Sequence, residues 1–224
     1  MTNCIKYLAI ISAGIIFLAA GKGDDKVQLF NGKDLNNWDK VLFDASGVPD
    51  EVFQVEDGVI KVLGAPFGYI LTKESYSNYK LHVEWRWTAE PANSGVFLHV
   101  QELNMEEFPL CIEAQLANSK AGDFVLIGHG AGISRADTTL LISPGEENRY
   151  KSVRRLQESS ENIAGEWNVY DITCDGNNIE LIVNGVVQNN GTQAIPSSGK
   201  IALQSEGGPI EFRNIYLTPL KKIE

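Results

Sequence analysis

The chain has 224 residues, with 29 acidic and 19 basic side chains and a formal net charge of −10. A surface this acidic repels a phosphate backbone, so we expect no nucleic acid partner. Its three cysteines are too few for a disulfide framework and match no zinc-binding spacing. Pairing of Cys111 with Cys174 in an oxidising compartment is left open.

The first 20 residues have the pattern of an export signal. Lys6 supplies a short positive start, and the apolar run that follows is about 14 residues long, too short to span a bilayer comfortably. Small residues at Ala19 and Ala20 offer a cleavage site. We therefore expect a signal peptide at 1–20 and an exported protein, periplasmic or on the cell surface. The alternative is an uncleaved N-terminal segment, which would be its one link to a membrane.

The remainder, 21–224, predicts a single all-β domain. It contains no long 3.6-residue periodicity, only short alternating runs bounded by Gly, Asn, Asp and Pro, which is typical of an antiparallel sandwich or barrel. The predicted strands are 52–55, 59–63, 81–87, 96–100, 110–116, 200–204 and 210–217.

Two further regions stand out. Residues 168–187 predict a hairpin, with strands 169–173 and 179–183 and a second tight turn of type I′ at Asn184-Gly185. Residues 120–165 are rich in glycine and contain the basic residues Lys151, Arg154 and Arg155. For this segment we expect a loop over one mouth of the domain, with a helical turn near 152–157.

Period-two alternation divides three predicted strands into inward and outward side chains. The inward positions are apolar, and the outward positions combine polar groups with an aromatic ring. The outward set is His82, Glu84, Arg86, Phe97, His99, Gln101, Cys111, Glu113 and Gln115. If the three strands are neighbours, these side chains form one continuous surface.

Such a surface suits a sugar. Carboxylate and amide oxygens accept hydrogen bonds from hydroxyls, Arg and Gln donate them, and an aromatic ring packs on the C–H face. The alternative is an ordinary solvated sheet face. His129 is a further candidate, because Gly128 and Gly130 on either side let the backbone approach a ligand closely.

Several catalytic motifs are absent from the sequence. It has no Gly-x-Ser-x-Gly elbow, no His-Glu-x-x-His and no P-loop. It also lacks the Glu-x-Asp-x-x-Glu strand of retaining β-glucanases. An ordinary two-carboxylate glycosidase is therefore disfavoured, although Glu84 and Glu113 could approach each other across neighbouring strands.

Motifs along nearly the whole chain resemble the 3-keto-disaccharide hydrolase domain family. The clearest are Asn93-Ser94-Gly95-Val96-Phe97-Leu98 and Glu113-Ala114-Gln115. Other matching segments are 29–38, 55–60, 79–81, 165–172, 183–185, 201–204 and 210–220. The resemblance implies a concanavalin A-like jelly roll, a sandwich of two antiparallel sheets with its ligand on one of them.

The resemblance also implies cleavage of a glycoside, or oligosaccharide, already oxidised to a ketone at C3. The C3 carbonyl acidifies the C2 hydrogen, so the site needs a base, a proton donor and a group that polarises the ketone. On their shared predicted face, Glu113 or His129 is the candidate base and His99 or Glu84 the candidate donor. Arg86 or a bound divalent cation would stabilise the enolate. The candidate substrate-binding residues are Arg86, Phe97, Gln115 and Gln204.

Two other classes of function remain compatible with the sequence. One is a non-catalytic, lectin-like carbohydrate-binding module on the same fold, because a fold does not fix a function. The other is a structural partner in a surface complex.

Overall fold

The computed structural model describes residues 26–220. The predicted signal peptide therefore lies outside the described residues. Within 26–220 there is no helix whose length and apolar character would let it cross a bilayer.

Strands dominate the described part of the chain, with one short helix. In chain order the elements are β1 (Val27–Gln28), β2 (Trp38–Leu42), α1 (Pro49–Val52), β3 (Phe53–Glu56), β4 (Val59–Val62), β5 (Gly68–Thr72), β6 (Tyr79–Trp87), β7 (Gly95–Val100), β8 (Cys111–Gln115), β9 (Phe124–Ile127), β10 (Gly132–Arg135), β11 (Thr138–Leu141), β12 (Tyr150–Val153), β13 (Asn168–Asp175), β14 (Asn178–Val183), β15 (Val186–Ile195), β16 (Lys200–Ser205) and β17 (Ile210–Pro219).

These strands form two antiparallel sheets. The ten-stranded sheet has the order β11-β10-β15-β14-β13-β6-β17-β4-β3, with β1 beside β17. The seven-stranded sheet has the order β12-β9-β8-β7-β16-β5-β2. The prediction of an all-β sandwich of two antiparallel sheets is confirmed.

The main core lies between the sheets, where each strand contributes its apolar side. In β6 the alternation is regular, and Leu81, Val83, Trp85 and Trp87 are all buried. Burial of large aromatic and aliphatic side chains of this kind is the principal stabilising contribution to a sandwich.

A second apolar cluster covers part of the outer face of the seven-stranded sheet. Segment 101–110, between β7 and β8, folds back over this face and places Phe108 on Phe97 and Phe43, with ring centroids 5.5 and 4.9 Å apart. Tyr69 belongs to this cluster and also holds segment 101–110 in place. Its hydroxyl accepts a hydrogen bond from the Asn104 N–H and donates one to the Asn104 carbonyl. We call this the Phe108 cluster; its buried members are Val41, Tyr69, Leu71, Phe97, Val100, Phe108, Cys111, Val125, Ile127 and Ala202.

The predicted strands and the hairpin are present. β13 and β14 pair as expected, and Asn184 and Gly185 have φ values of 50° and 79°, as a type I′ turn requires. The prediction of a loop over residues 120–165 is wrong, because β9 to β12 lie there. β9 is buried on both faces and so carries no alternation. The helical turn near 152–157 is also wrong, since β12 pairs with β9.

The two described cysteines are buried and do not pair with each other. Cys174 belongs to the core between the sheets, whereas Cys111 lies in the Phe108 cluster on the outer face of the seven-stranded sheet.

Candidate functional site

The predicted continuous surface is divided between two sheets. β6 belongs to the ten-stranded sheet, whereas β7 and β8 belong to the seven-stranded sheet. Glu84 therefore lies on the opposite side of the sandwich from Glu113. Alternation correctly gave the outward residues of β6, but it carries no information on which sheet a strand joins.

Glu84 is part of an ion-pair network. Its carboxylate accepts hydrogen bonds from Arg213 Nε and Asn214 Nδ2, both at 2.6 Å. Burial alone would raise the pKa of Glu84, but the bonds from Asn214 and Arg213 outweigh it and leave the pKa lowered. The predicted proton donor is thus a paired carboxylate.

Arg86 is similarly occupied. Its guanidinium donates to Glu211 at 2.7 Å and lies 4.6 Å from the centre of the Trp167 ring. Arg213 lies over the same ring at 3.9 Å. The sandwich therefore separates Arg86 from Glu113. Arg86 cannot fill its predicted enolate-stabilising role at a site that contains Glu113.

His82 completes this outer face. Its Nδ1 is 2.7 Å from Asp171 Oδ1, and its ring stacks on Tyr216 with centroids 4.8 Å apart. The hydrogen bond with Asp171 raises the pKa of His82 despite partial burial. We call the connected set the charged ladder; its members are Lys26, His82, Glu84, Arg86, Trp167, Asp171, Glu211, Arg213 and Tyr216.

His99 does not face outward as predicted. Its φ is 58°, and the register between β7 and β16 shifts beside it. This irregularity turns the ring inward, edge-on to Tyr79 at 5.8 Å, where Nδ1 donates to the Pro196 carbonyl at 3.0 Å. Burial lowers the pKa of His99. The residue lies inside the sandwich, apart from Glu113.

His129 is exposed in the turn that follows β9. Its Nε2 donates to the Glu146 carbonyl at 2.9 Å. Because Val125 pairs with Glu113 and Ile127 with Cys111, this turn lies beyond the Cys111 end of the sheet. The structure does not bring His129 together with Glu113.

Phe97 and Gln115 lie on the same face as Glu113, but both have structural contacts. Phe97 is fully buried beneath Phe108, so its ring is not available to a sugar in this structure. Gln115 Oε1 accepts hydrogen bonds from the backbone N–H groups of Leu116 and Ala117, both at 2.8 Å, and so holds the end of β8.

Glu113 itself occupies an unusual position. Its side chain is 3% exposed and lies across Gly95 of the neighbouring strand. A Cβ at position 95 would overlap Glu113 Oε1 and lie 2.7 Å from its Cδ. The glycine of the Asn-Ser-Gly motif therefore makes room for the carboxyl group.

The rest of the motif supports the same arrangement. Ser94 Oγ donates to the Gln204 carbonyl at 2.8 Å. Asn93 Nδ2 and Gln204 Nε2 both donate to Glu206 Oε2, at 2.7 and 2.6 Å. The register of β16 with β7 sets Gln204 beside Gly95, and hence beside the carboxyl group of Glu113. We call Asn93, Glu113, Gln204 and Glu206 the Glu113 cluster.

The pKa values of the two carboxyl groups of this cluster are raised to different extents. Burial, with the charge of Glu206 adding to it, raises the pKa of Glu113 well above its ordinary value. Burial also raises the pKa of Glu206, but hydrogen bonds from Asn93 and Gln204 oppose that effect. Glu206 therefore ionises first, and Glu113 keeps its proton to higher pH. Paired groups with separated pKa values are the usual mark of an acid and a base.

Three oxygens of the cluster are buried without a hydrogen-bond partner among residues 26–220. They are Glu113 Oε1, Gln204 Oε1 and Asn93 Oδ1. An unsatisfied buried polar atom costs about 1–3 kcal/mol. Two of the three are amide oxygens, which accept hydrogen bonds and cannot donate them, so a ligand rich in hydroxyl groups would satisfy them.

Glu206 and Asn93 were missed at the sequence level as site residues. Alternation through 202, 204 and 206 would have placed Glu206 on the same face as Gln204. Asn93 gave no such pattern, because it lies just outside β7.

No group of three His, Cys, Asp or Glu side chains within 26–220 could hold a metal ion. The donor set at the Glu113 cluster contains two carboxylates, and we assign no step to a divalent cation.

A cleft lies elsewhere on the molecule. It has a volume of about 810 Å³ and is lined by residues of β2, β3 and their neighbouring loops, among them Asp34, Trp38, Asp50 and Lys73. It contains no member of the Glu113 cluster. The buried carboxyl group of Glu113 marks the candidate site better than the size of a cleft does. Perturbed pKa values and unsatisfied buried oxygens are signs of a functional site, whereas volume alone is not.

Fold and site together define a jelly-roll domain of the carbohydrate-active kind. The chain belongs to the family of the 3-keto-alpha-glucoside-1,2-lyase-like domain, whose sequence profile matches residues 25–218. The family resemblance seen in the sequence is thus confirmed. No curated protein sequence matches this chain.

Solved structures share the fold. A presumptive glycosyl hydrolase from Parabacteroides distasonis ATCC 8503 is 24% identical, with a TM-score of 0.63 over 88% of this chain and 94% of its own. The β-glucanase of Bacillus licheniformis is 15% identical, with a TM-score of 0.55 over 87% and 97%. A carbohydrate-binding module from Bacillus subtilis is 8% identical, with a TM-score of 0.53 over 80% and 93%. At these identities the likeness establishes the concanavalin A-like jelly-roll fold alone.

Proposed function

We propose that this protein cleaves 3-keto-glycosides by elimination across C1 and C2, and that the Glu113 cluster is its active site. The observation that carries the proposal is the Glu113 carboxyl group, 3% exposed against Gly95, in a cluster with three buried oxygens that have no hydrogen-bond partner among residues 26–220. The family of the chain supplies the substrate class.

The chemistry requires an acid and a base on one side of a sugar ring. A ketone at C3 makes the C2 hydrogen acidic, so a carboxylate can remove it without the oxocarbenium chemistry of ordinary glycosidases. Departure of the C1 oxygen is easier when an acid protonates it. Glu113 and Glu206 are the two carboxyl groups that the seven-stranded sheet brings together for this purpose.

The difference in pKa assigns the roles. Glu206, ionised and held by Asn93 and Gln204, takes the proton from C2. The electron pair of the broken C–H bond is first held in the enolate of the C3 ketone and then forms the C1–C2 double bond as the C1–O bond breaks. The departing oxygen takes the proton of Glu113. The products are an enone and a free alcohol, and addition of water to the enone completes a net hydrolysis.

Recognition of the sugar falls to the amides. The unpartnered oxygens of Gln204 and Asn93 accept hydrogen bonds from ring hydroxyls, while their N–H groups stay on Glu206. Gln204 thus keeps the substrate-binding role expected from the sequence, and Glu113 keeps a catalytic one as acid rather than as base. Export of the protein, expected from residues 1–20, would place this activity outside the cytoplasm.

The test uses 3-keto-glucosides with two leaving groups, a sugar and a nitrophenol, in D₂O. The wild-type protein should form an enone that absorbs in the ultraviolet. Glu206→Gln should slow both C2 exchange and elimination by about 10²–10⁴-fold with either substrate. Glu113→Gln should slow only the sugar leaving group, because nitrophenolate departs without a proton.

Glu180→Gln is the matched control and should behave as wild type, because it changes a carboxyl group on the outer face of β14. If the wild-type protein forms no enone and exchanges no C2 hydrogen, but its tryptophan fluorescence responds to the sugar, it is a binding module and the proposal fails.

A further inference from the structure

We infer that Tyr150 donates the hydrogen bond that stabilises the ketone oxygen as it becomes an enolate. This inference rests on the proposed function and names a residue that the sequence did not suggest. It also fixes how the sugar lies across the seven-stranded sheet.

The register places Tyr150 on the correct face. Tyr150 pairs with Ile127, and Ser152 pairs with Val125, which in turn pairs with Glu113. Directly paired residues of an antiparallel sheet point to the same side. Tyr150 therefore projects from the edge strand β12 on the side where Glu113 projects from β8.

The space between them suits one sugar ring. β12 and β8 are separated by β9, so their backbones are about 10 Å apart. The β9 side chains on this face, Val125 and Ile127, are 8% and 1% exposed. Both belong to the Phe108 cluster and form a low apolar floor. Tyr150 is 42% exposed and stands above that floor at the edge. Tyr150 lies diagonally across β9 from Glu113, because its register partner is Ile127 and that of Glu113 is Val125. A pyranose lying across Val125 and Ile127 would have the Glu113 carboxyl group at one end and the Tyr150 phenol at the other.

Most of the other donors near the site are already bonded, although Arg149 Nε is buried without a hydrogen-bond partner among residues 26–220. Arg86, the predicted polarising group, lies on the opposite sheet. The amides of Asn93 and Gln204 donate to Glu206. Arg149, next to Tyr150 in the chain, forms an ion pair with Glu107. Tyr150 is 42% exposed, so its side chain is accessible to a ligand above the sheet.

Electrostatics keeps this hydroxyl protonated. Partial burial raises the pKa of Tyr150, and the charges of Glu206 and Glu113 add to the effect while Arg149 opposes it. The phenol therefore remains a hydrogen-bond donor.

The reaction then proceeds without a change in Tyr150 itself. Glu206 removes the C2 proton, the electron pair forms the C2–C3 double bond, and the C3 oxygen becomes an oxyanion that accepts the Tyr150 hydrogen bond. The pair then forms the C1–C2 double bond as the C3 carbonyl is restored. The C1–O bond breaks, and its oxygen takes the proton of Glu113.

The experiment compares Tyr150→Phe with wild type, because this change keeps the ring and removes the hydroxyl. Loss of one oxyanion donor should lower kcat by about 10²–10³-fold with little change in KM. C2 exchange and elimination should fall together, and the nitrophenol substrate should not rescue the variant, unlike Glu113→Gln. Tyr216→Phe on the opposite sheet is the control and should be unaffected.

The outcomes separate the two proposals. If the wild type forms enone and Tyr150→Phe exchanges C2 hydrogen at the wild-type rate, the inference is overturned while the proposed function stands. If the wild type neither exchanges nor eliminates, the proposed function itself fails. A kcat defect that disappears with the nitrophenol substrate would assign Tyr150 to proton donation and would also overturn the inference.

Discussion

The two outer faces of the sandwich carry similar polar side chains, but those of one face are paired with each other, whereas Glu113 of the other face is not paired among residues 26–220. On the ten-stranded sheet, the charged ladder pairs Glu84 with Arg213 and Arg86 with Glu211. On the seven-stranded sheet, Glu113 is buried beside another carboxyl group, and its Oε1 has no partner among residues 26–220. The composition of a polar face therefore does not identify a site; what matters is whether its groups already satisfy one another.

The physical basis of the contrast is solvent access. Members of the charged ladder can exchange hydrogen bonds with water if a partner is lost, so each pair contributes little to stability. Glu113 is 3% exposed between Phe97 and Val125 of the Phe108 cluster, and in such an environment an unpaired group is costly and chemically responsive. The predictions below probe each face in turn.

The largest effect is expected from Gly95→Ala. The new Cβ would overlap Glu113 Oε1 and force the carboxyl group away from Glu206. A displacement of this size should lower turnover of a 3-keto-glucoside by about 10²-fold or more. Gly132→Ala in β10 is the control, since its Cβ would meet the end of Leu141 at 3.1 Å. Full activity in Gly95→Ala would remove the buried position of Glu113 from the mechanism.

Phe108→Ala probes the Phe108 cluster on the outer face of the seven-stranded sheet. Phe108 is buried against Phe97 and Phe43, so its truncation should lower the free energy of unfolding by about 3 kcal/mol. Urea denaturation measures the change. Phe67→Ala, at a side chain that is 46% exposed, should cost far less. Equal losses of unfolding free energy in the two variants would mean that Phe108 is not packed as a core residue of this cluster.

Glu84→Gln tests the opposite face. The variant loses the charge that faces Arg213, at a cost of about 1 kcal/mol or less in the free energy of unfolding. Turnover should not change, because the sandwich separates Glu84 from the Glu113 cluster. A substantial loss of kcat without a loss of folded protein would contradict the division of roles between the two faces.

The smallest effect concerns the pH dependence of His82. Its pKa is raised in the folded state by Asp171, and Glu84 on its other side contributes in the same direction. The stabilisation is therefore fully present below about pH 6.5 and is lost as the pH rises through the folded-state pKa. Nearby Lys26 and Tyr216 face the same ring.

His82→Gln should consequently be less stable than wild type by a few tenths of a kcal/mol in mildly acidic solution and equal to it in alkaline solution. Urea titrations across this range measure the difference. A gap that widens as the pH increases would show that the interaction with Asp171 does not favour the protonated ring.

The sequence predicted the fold well because most strands bury one face. The regular alternation of β6 identified the inward Trp85 and the outward Glu84 correctly. β9, buried on both faces, left no such pattern and was assigned to a loop. Local periodicity thus fails where tertiary packing covers both sides of a strand.

The site was harder to predict because it depends on pairing between distant strands. The outward direction of Glu113 could be read from β8, but the assignment of β6 to the other sheet could not. His99 was misplaced by a single backbone irregularity, a φ of 58° that reverses the expected direction of its ring. Glu206 was accessible by extending the alternation of β16, whereas the near-complete burial of Glu113 was not.

The hydrogen bond from Asn93 to Glu206 joins residues 113 positions apart in the chain. β16, which precedes Glu206, inserts between β5 and β7, two strands made much earlier during synthesis. A growing chain therefore lacks its proposed base until almost the whole domain has emerged. Since pairings this distant form slowly, the gain of activity during refolding should lag behind collapse of the chain.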